Sequence, residues 1–244
     1  SRGLISGFQR GMTYAKKSLD IRQSFGDLWG QGQSLHYSGI LLYMESRFAE
    51  CIDACREAIR LLERTGDYWE VHTARYQIAA SLYHLGDMPG ALEESQRNYR
   101  SGLELGDEQA SGIILDVWSR AAGGAISKEL VESELARERN DAQSIAQVLL
   151  AEGVRLLGAD EIDKATAAIA RAVEVTHSAH VKTVYTVPML AWLATCRRLQ
   201  AERCSLLAPQ RREILLRRAE SAVRQALRSA CICRNDIPRA IREQ

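Results

Sequence analysis

A glycine or asparagine followed by aspartate recurs along this chain at a nearly constant interval. The first three pairs are 40 residues apart, the fourth follows after 34 and the fifth after a longer gap. Glycine, and asparagine as second choice, ends helices in the left-handed conformation, while aspartate caps the N-terminus of the next helix. The pairs therefore predict helices punctuated at a repeat of about 34–40 residues. They are Gly26-Asp27, Gly66-Asp67, Gly106-Asp107, Asn140-Asp141 and Asn235-Asp236.

Each period is predicted to hold two helices. Apolar residues recur at three- and four-residue spacing, for example over 49–64 and 163–176, and strand patterns are nearly absent. Short joints between the two helices make them antiparallel neighbours. The predicted first helices are 28–46, 68–85, 108–122, 142–157 and 181–201, and the second helices are 47–64, 89–105, 127–139, 161–178 and 209–234.

Residues at the expected helix contacts resemble the tetratricopeptide (TPR) repeat, which places small residues where helices touch. The third repeat matches least, because Gly123-Gly124 interrupts it, and Cys51, Cys55, Ser95 and Asn98 depart from the pattern. Cys51 and Cys55 are interpreted as core residues. The matches include Gly39, Leu42, Phe48 and Ala58, then Ala79, Leu82, Gly86, Met88 and Ala91, then Leu150, Ala151, Val154, Gly158, Ala165, Ile169 and Ala172, and finally Ala191, Ala194, Ala219, Val223 and Ala226.

The resemblance implies an all-α fold, a right-handed α-solenoid of about five stacked antiparallel helix hairpins in one domain, 1–244. The repeats would be 1–26 (partial), 27–66, 67–106, 107–140, 141–180, 181–235 and 236–244 (partial). Because both ends read as incomplete repeats without capping helices, we expect a fragment of a longer chain. The 40-residue period is similar to the MalT-like subgroup, which implies a larger bacterial signalling or transcription-regulating protein.

Composition and motifs narrow the function. Lys and Arg number 32 against 31 Asp and Glu, so no global charge draws the chain to nucleic acid. Six cysteines without framework spacing, and no apolar core of a signal peptide in residues 1–7, predict a cytoplasmic setting. No apolar run is long enough to span a membrane. Phosphate-loop, metalloprotease and hydrolase motifs are missing, so we expect a segment without cofactor, metal or catalytic residues.

The predicted working surface is the concave face, which first helices line in a stacked-hairpin solenoid. Aromatic residues and Arg concentrate there and favour a protein or peptide partner, although several of them could instead fill the hairpin interior. Trp29 and Trp69, at equal positions after their caps, are interpreted as structural. The register carried over from the repeat family gives a partner-binding set of Gln33, His36, Tyr43, Met44, Thr73, Tyr76, Tyr83, His84, Asp116, Arg120, Glu152, Arg155, Tyr185 and Trp192.

Two alternatives stay open. A groove-based enzyme or metal site would use His36, His84, Asp116 and Glu152, whereas Cys231 and Cys233 make a poor chelating pair. Nucleic-acid binding would use residues 197–242, where twelve Arg face four acidic residues. Other domains of the parent chain, or a second copy paired through exposed solenoid ends, are further expected partners.

Overall fold

The structure is a computed structural model that describes residues 2–204, 209–230 and 234–244, with side chains from residue 7 onward. Within these residues the regular structure is helical and contains no strand, which confirms the predicted all-α class. The helices are α1 (Arg2–Ser24), α2 (Leu28–Met44), α3 (Phe48–Thr65), α4 (Tyr68–Leu85), α5 (Met88–Leu105), α6 (Glu108–Ala121), α7 (Lys128–Leu135), α8 (Ala142–Gly158), α9 (Ile162–Ser178), α10 (Pro188–Arg203), α11 (Pro209–Ala230) and α12 (Ile237–Arg242), with a 3-10 turn at Arg234–Asp236.

The helices pack in chain order within two compact units, Ser1–Val117 and Trp118–Gln244. In the first unit each of α1 to α4 contacts the next helix along the chain, and α2 also contacts α4. In the second unit the same consecutive contacts run from α7 to α12. This neighbour-to-neighbour packing is the pattern expected of helical hairpins in a repeat.

The Gly-Asp pairs end one helix and start the next, as predicted. Gly66 and Gly106 have φ values of 77° and 70°, a left-handed backbone that a side chain would strain. The carboxylates of Asp67 and Asp107 then accept hydrogen bonds from the backbone N–H of Glu70 and Ala110 respectively. These local contacts explain why the punctuation could be read directly from the sequence.

The two Asn-Asp pairs behave differently, and the prediction of left-handed asparagine caps is wrong. Neither Asn140 nor Asn235 has a positive φ. Helix α7 ends at Leu135, four residues before its predicted end, because the Arg139 guanidinium folds back onto the backbone carbonyl and carboxylate of buried Glu134. Asp141 still caps α8, whereas the Asp236 side chain makes no cap hydrogen bond to α12.

Helix α10 starts seven residues later than predicted, at Pro188. The preceding segment is held as a turn, in which the Thr186 hydroxyl accepts from the Thr183 N–H at 3.0 Å. The Thr183 hydroxyl also donates to Gln143 Oε1 of α8 at 2.8 Å. Proline suits the first position of a helix because it has no N–H to leave unpaired. The predicted second helix 209–234 is described only to Ala230, and residues 231–233 lie outside the described part of the chain.

Small residues allow the helices of a hairpin to approach closely. Cys51, Cys55 and Ala58 of α3 are fully buried, in agreement with the interpretation of the cysteines as core residues. A methyl group placed on Gly39 of α2 would lie 2.5 Å from Cys55 Sγ, far inside van der Waals contact. Burial raises the pKa of the Cys196 thiol in α10 to about 12, so this buried thiol stays protonated.

Candidate partner-binding face

Helices α2 and α4 are joined by a buried polar contact centred on Glu70. One Glu70 oxygen accepts a hydrogen bond from Gln33 Nε2 at 3.2 Å, and the other lies 2.5 Å from His36 Nδ1. The side chains of His36 and Glu70 are each only 4% exposed. Because buried polar groups cost free energy unless they are paired, this contact fixes one first helix against the next.

An aromatic cluster continues the contact toward the C-terminal ends of α2 and α4. The ring of His84 stacks on Phe48 with centroids 4.8 Å apart, and its Nε2 lies 3.2 Å from the Tyr43 hydroxyl. Tyr83 meets His84 edge-on at 5.4 Å. Three predicted site residues, Tyr43, Tyr83 and His84, are therefore brought together, and His84 contacts all the other rings of the cluster.

Tyr76 of α4 reaches in the other direction along the repeat. Its hydroxyl lies 3.2 and 3.1 Å from the two carboxylate oxygens of Asp116 in α6, so it donates to that carboxylate. Both residues are buried, with exposed fractions of 3% and 0%. Since the polar tip of Tyr76 is used inside the fold, its contribution here is to packing between helices.

Beside these buried contacts, α2 and α4 present a partly exposed surface. Gln33 and Met44 of α2 and Thr73, Tyr83 and His84 of α4 are half-buried. Tyr37 lies four residues after Gln33 and seven before Met44, which places it on the same side of α2, and it is 53% exposed. Tyr37 is absent from the predicted set, because the register carried over from the repeat family omits it. We call this surface the α2–α4 face: Gln33, Tyr37, Met44, Thr73, Tyr83 and His84.

The predicted residues of the second unit make contacts of a different kind. Arg155 binds Glu152 one helical turn earlier through two hydrogen bonds of 2.7 and 2.8 Å. The Arg239 guanidinium lies over the Trp192 ring, 3.5 Å from its centroid, so that Trp192 is only 9% exposed. Tyr185 stands before α10, on the turn that replaces the predicted start of that helix.

Burial divides the fourteen predicted residues into two groups. His36, Tyr43, Tyr76, Asp116, Arg120 and Trp192 are buried. The other eight are half-buried, and five of them belong to the α2–α4 face: Gln33, Met44, Thr73, Tyr83, His84, Glu152, Arg155 and Tyr185. The part of the prediction that offers surface to a partner is thus concentrated in the first unit.

The residues of the enzyme or metal alternative each contact a different partner. His36 lies against Glu70, His84 against Tyr43, and Asp116 accepts from Tyr76. Among the described residues, no three His, Cys, Asp or Glu side chains are grouped so that they could hold a metal ion. Cys231 and Cys233 lie outside the described residues.

A hydrogen-bonded series that sequence reasoning missed links α4, α5 and the start of α6. His72 Nδ1 lies 2.8 Å from Asp107 Oδ2, and His72 Nε2 lies 2.8 Å from the Ser101 hydroxyl oxygen. Serine, histidine and aspartate in this order resemble the catalytic triad of serine hydrolases. The only sequence signal is the spacing of His72 and Asp107, which stand 35 residues apart, about one repeat.

The surroundings of Ser101 favour a structural role for this series. Ser101 lies in the last turns of α5, where the helix dipole is negative and opposes a developing oxyanion. Its own N–H is inside a helix and bonds to a preceding carbonyl. Burial raises the pKa of Asp107, but hydrogen bonds from His72 and the Ala110 N–H outweigh this effect and hold that pKa below its ordinary value. The carboxylate therefore stays ionised and caps α6.

The arginine-rich C-terminal region is partly neutralised. Arg217 and Arg224 of α11 pair with Glu213 and Glu220 one turn earlier, and Arg239 covers Trp192. Six arginines of this region have no carboxylate partner in the described part of the chain: Arg197, Arg211, Arg212, Arg218, Arg228 and Arg234. Four of these six belong to α11.

The chain matches no model of a known protein family and no curated protein. Among the helices of residues 2–204, 209–230 and 234–244, none is both long and apolar enough to cross a membrane.

Proposed function

We propose that this protein is a binding module which holds a protein or peptide segment on the α2–α4 face. The observation that carries the proposal is the combination of a rigid buried contact and an exposed rim. Glu70 and the aromatic cluster around His84 fix the two helices, while Tyr37 is exposed and Tyr83 is half-buried at their surface. Preorganised aromatic side chains supply contact area with little loss of rotamer freedom, which is how many interfaces obtain affinity.

The chemistry of the face indicates the kind of partner. Tyr37, Met44 and Tyr83 supply apolar area, and Gln33, Thr73 and His84 supply hydrogen-bonding groups without a formal cluster of charge. An extended or helical segment with alternating apolar and polar side chains fits this mixture. Capture of a C-terminal carboxylate is disfavoured, because the positions where the repeat family places Lys and Asn for that purpose hold His36, Ile40, Tyr76 and Ala80.

We further propose that the chain folds as a right-handed TPR-like solenoid of about five hairpins. The consecutive packing and the contacts between first helices one repeat apart support this interpretation. In that arrangement the α2–α4 face belongs to the concave surface. From the resemblance to the MalT-like subgroup we also propose a cytoplasmic bacterial regulator, in which binding on this surface is passed to another domain.

The test is a selection of random linear peptides displayed on phage, followed by affinity measurement of the enriched peptides by fluorescence anisotropy. Tyr37→Ala and Tyr83→Ala should each weaken binding by more than about 1 kcal/mol, roughly a fivefold rise in Kd. Tyr14→Ala is the matched control, because Tyr14 of α1 is 66% exposed and lies outside the face. Circular dichroism should show unchanged helix content in all three variants.

Two results would overturn the proposal. One is a selection that enriches no peptide above a resin-only background. The other is a set of enriched peptides whose affinity falls with Tyr14→Ala but not with Tyr37→Ala or Tyr83→Ala, which would move the site to α1.

A further inference from the structure

A cavity of about 420 Å³ lies in the second unit, where α9 ends and α10 begins. Val173, Val187 and Leu190 supply its apolar wall, and the C-terminal part of α11 closes it from the side. Cavities of this size are within the range that holds small molecules in proteins. Neither the α2–α4 face nor the aromatic cluster contributes to it.

Two cations, Lys182 and Arg228, stand at the rim of the cavity beside two histidines. His177, His180, Lys182 and Arg228 line it, and no Asp or Glu is among its lining residues. None of these four side chains has a carboxylate partner in the described part of the chain. Cations gathered around a concave site without counter-charges attract anions to it.

A serine hydroxyl adds a hydrogen-bonding group to the wall of the cavity. Ser229 of α11 lines it, is only 6% exposed, and makes no hydrogen bond to any described residue. Thr176 and Thr186 also line the cavity, but their hydroxyls already bond to backbone carbonyls. The Ser229 hydroxyl is therefore a group that a ligand in the cavity can hydrogen-bond.

The wall formed by the segment before α10 is fixed rather than loose. Thr183 anchors that segment to α8 through the 2.8 Å hydrogen bond to Gln143. The Thr186 hydroxyl accepts from the Thr183 N–H and closes the turn. A site that is already formed loses little ordering free energy when it binds a ligand.

From these observations we propose that the cavity binds a small organic anion. Its carboxylate, phosphate or sulfonate group would lie among Lys182, Arg228 and the two histidines, and its apolar body would lie against Val173, Val187 and Leu190. This site is independent of the α2–α4 face and adds a small-molecule ligand to the proposed partner-binding module.

The probe is 1-anilinonaphthalene-8-sulfonate, which combines an apolar ring system with one sulfonate and fluoresces when it leaves water. Titration of the whole chain should show one saturable site. The double variant Lys182→Gln/Arg228→Gln should raise its Kd at least tenfold. Arg212→Gln is the matched control, because Arg212 is an exposed arginine of the same helix that also lacks a carboxylate partner but does not line the cavity. It should leave the Kd unchanged, as should Tyr37→Ala.

Competition separates charge from simple apolar binding. Octanoate should displace the probe, and octanol, which has the same chain without the charge, should not. Hydrogen exchange should show that octanoate protects residues 176–190. Equal displacement by octanol, or an unchanged Kd in Lys182→Gln/Arg228→Gln, would overturn the proposal. Loss of probe binding in Tyr37→Ala would also overturn it and would place the probe on the α2–α4 face.

Discussion

His36 of α2 and Glu70 of α4 face each other across the contact between two first helices, with Nδ1 and Oε2 2.5 Å apart and each side chain 4% exposed. They stand 34 residues apart in the sequence, about one repeat. Gln33 donates to the second oxygen of the same carboxylate. The pair therefore joins one repeat to the next in the interior. If one member is removed, the other cannot form a hydrogen bond to water in its place.

Removing one member of this pair should be strongly destabilising. We expect Glu70→Ala to lower the free energy of unfolding by about 3 kcal/mol or more, because it leaves buried His36 and half-buried Gln33 without their acceptor. His36→Ala combined with Glu70→Ala should cost less than the sum of the single changes, with a coupling of about 1 kcal/mol or more. Urea denaturation of the four proteins measures this. Arg47→Ala, which breaks an exposed pair with Glu50, is the control and should change little. Strict additivity of the buried pair would contradict the role assigned to it.

The helix ends show which parts of the fold can be read from the sequence. Gly66-Asp67 and Gly106-Asp107 were predictable because both the left-handed glycine and the aspartate cap act within a few residues. The early end of α7 depends on buried Glu134, which Arg139 and Arg137 contact. Such helix ends depend on tertiary contacts, which a local sequence pattern does not predict.

Because α2 and α3 are in close contact, a glycine-to-alanine substitution should destabilise the protein in α2 and stabilise it in α1. Gly39→Ala should destabilise by about 1–3 kcal/mol, because the added methyl would lie 2.5 Å from the buried Cys55 sulfur. Gly7→Ala in α1 should instead stabilise by about 1 kcal/mol, because nothing lies within 4 Å of the added methyl and alanine favours a helix. Thermal unfolding of both variants measures the difference. A stabilised Gly39→Ala would show that α2 and α3 are farther apart than described.

The candidate face was predictable in part. Helical spacing and the repeat register identified the two helices and some half-buried positions at their surface, including Thr73 and Tyr83. They did not identify Glu70 or the series through His72, because such contacts depend on how far each helix is rotated about its axis. A difference of one residue in register exchanges a surface position for a buried one, which is how Tyr37 was missed and how Tyr76 proved to be buried.

The Ser101, His72 and Asp107 series leads to a prediction about reactivity. We expect Ser101 to resist a fluorophosphonate probe, because the C-terminal end of α5 offers no donor for an oxyanion and the helix dipole opposes one. Intact mass spectrometry after prolonged incubation should show no adduct on the folded chain. Ser101→Ala is the control for any background labelling at other sites. An adduct that disappears in Ser101→Ala would contradict the structural role and revive the enzyme alternative.

Asp107 should contribute to stability in a pH range that its neighbours define. Burial raises its pKa, but the hydrogen bonds from His72 and Ala110 outweigh this and lower the pKa in the folded state below the ordinary value of 3.8. The folded state then binds fewer protons than the unfolded state, so the contribution is complete above about pH 5 and is lost as the pH falls through 3.8 and the folded-state pKa. Asp107→Asn keeps a capping side chain but loses the charge. The difference in the free energy of unfolding between the wild type and this variant should become smaller as the pH is lowered from 6 toward 3.

Glu94 provides a matched comparison of opposite sign for the same measurement. Burial raises its pKa above the ordinary 4.5, and nearby arginines, including Arg75, only partly offset this. Ionisation of Glu94 therefore favours the unfolded chain, and its penalty appears as the pH rises through 4.5 and the higher folded-state pKa. Glu94→Gln should gain stability relative to the wild type over that rise, while Asp107→Asn loses it. Urea denaturation at half-unit pH intervals would record both trends, and parallel curves for the wild type and Asp107→Asn would show that the His72 contact does not hold this carboxylate.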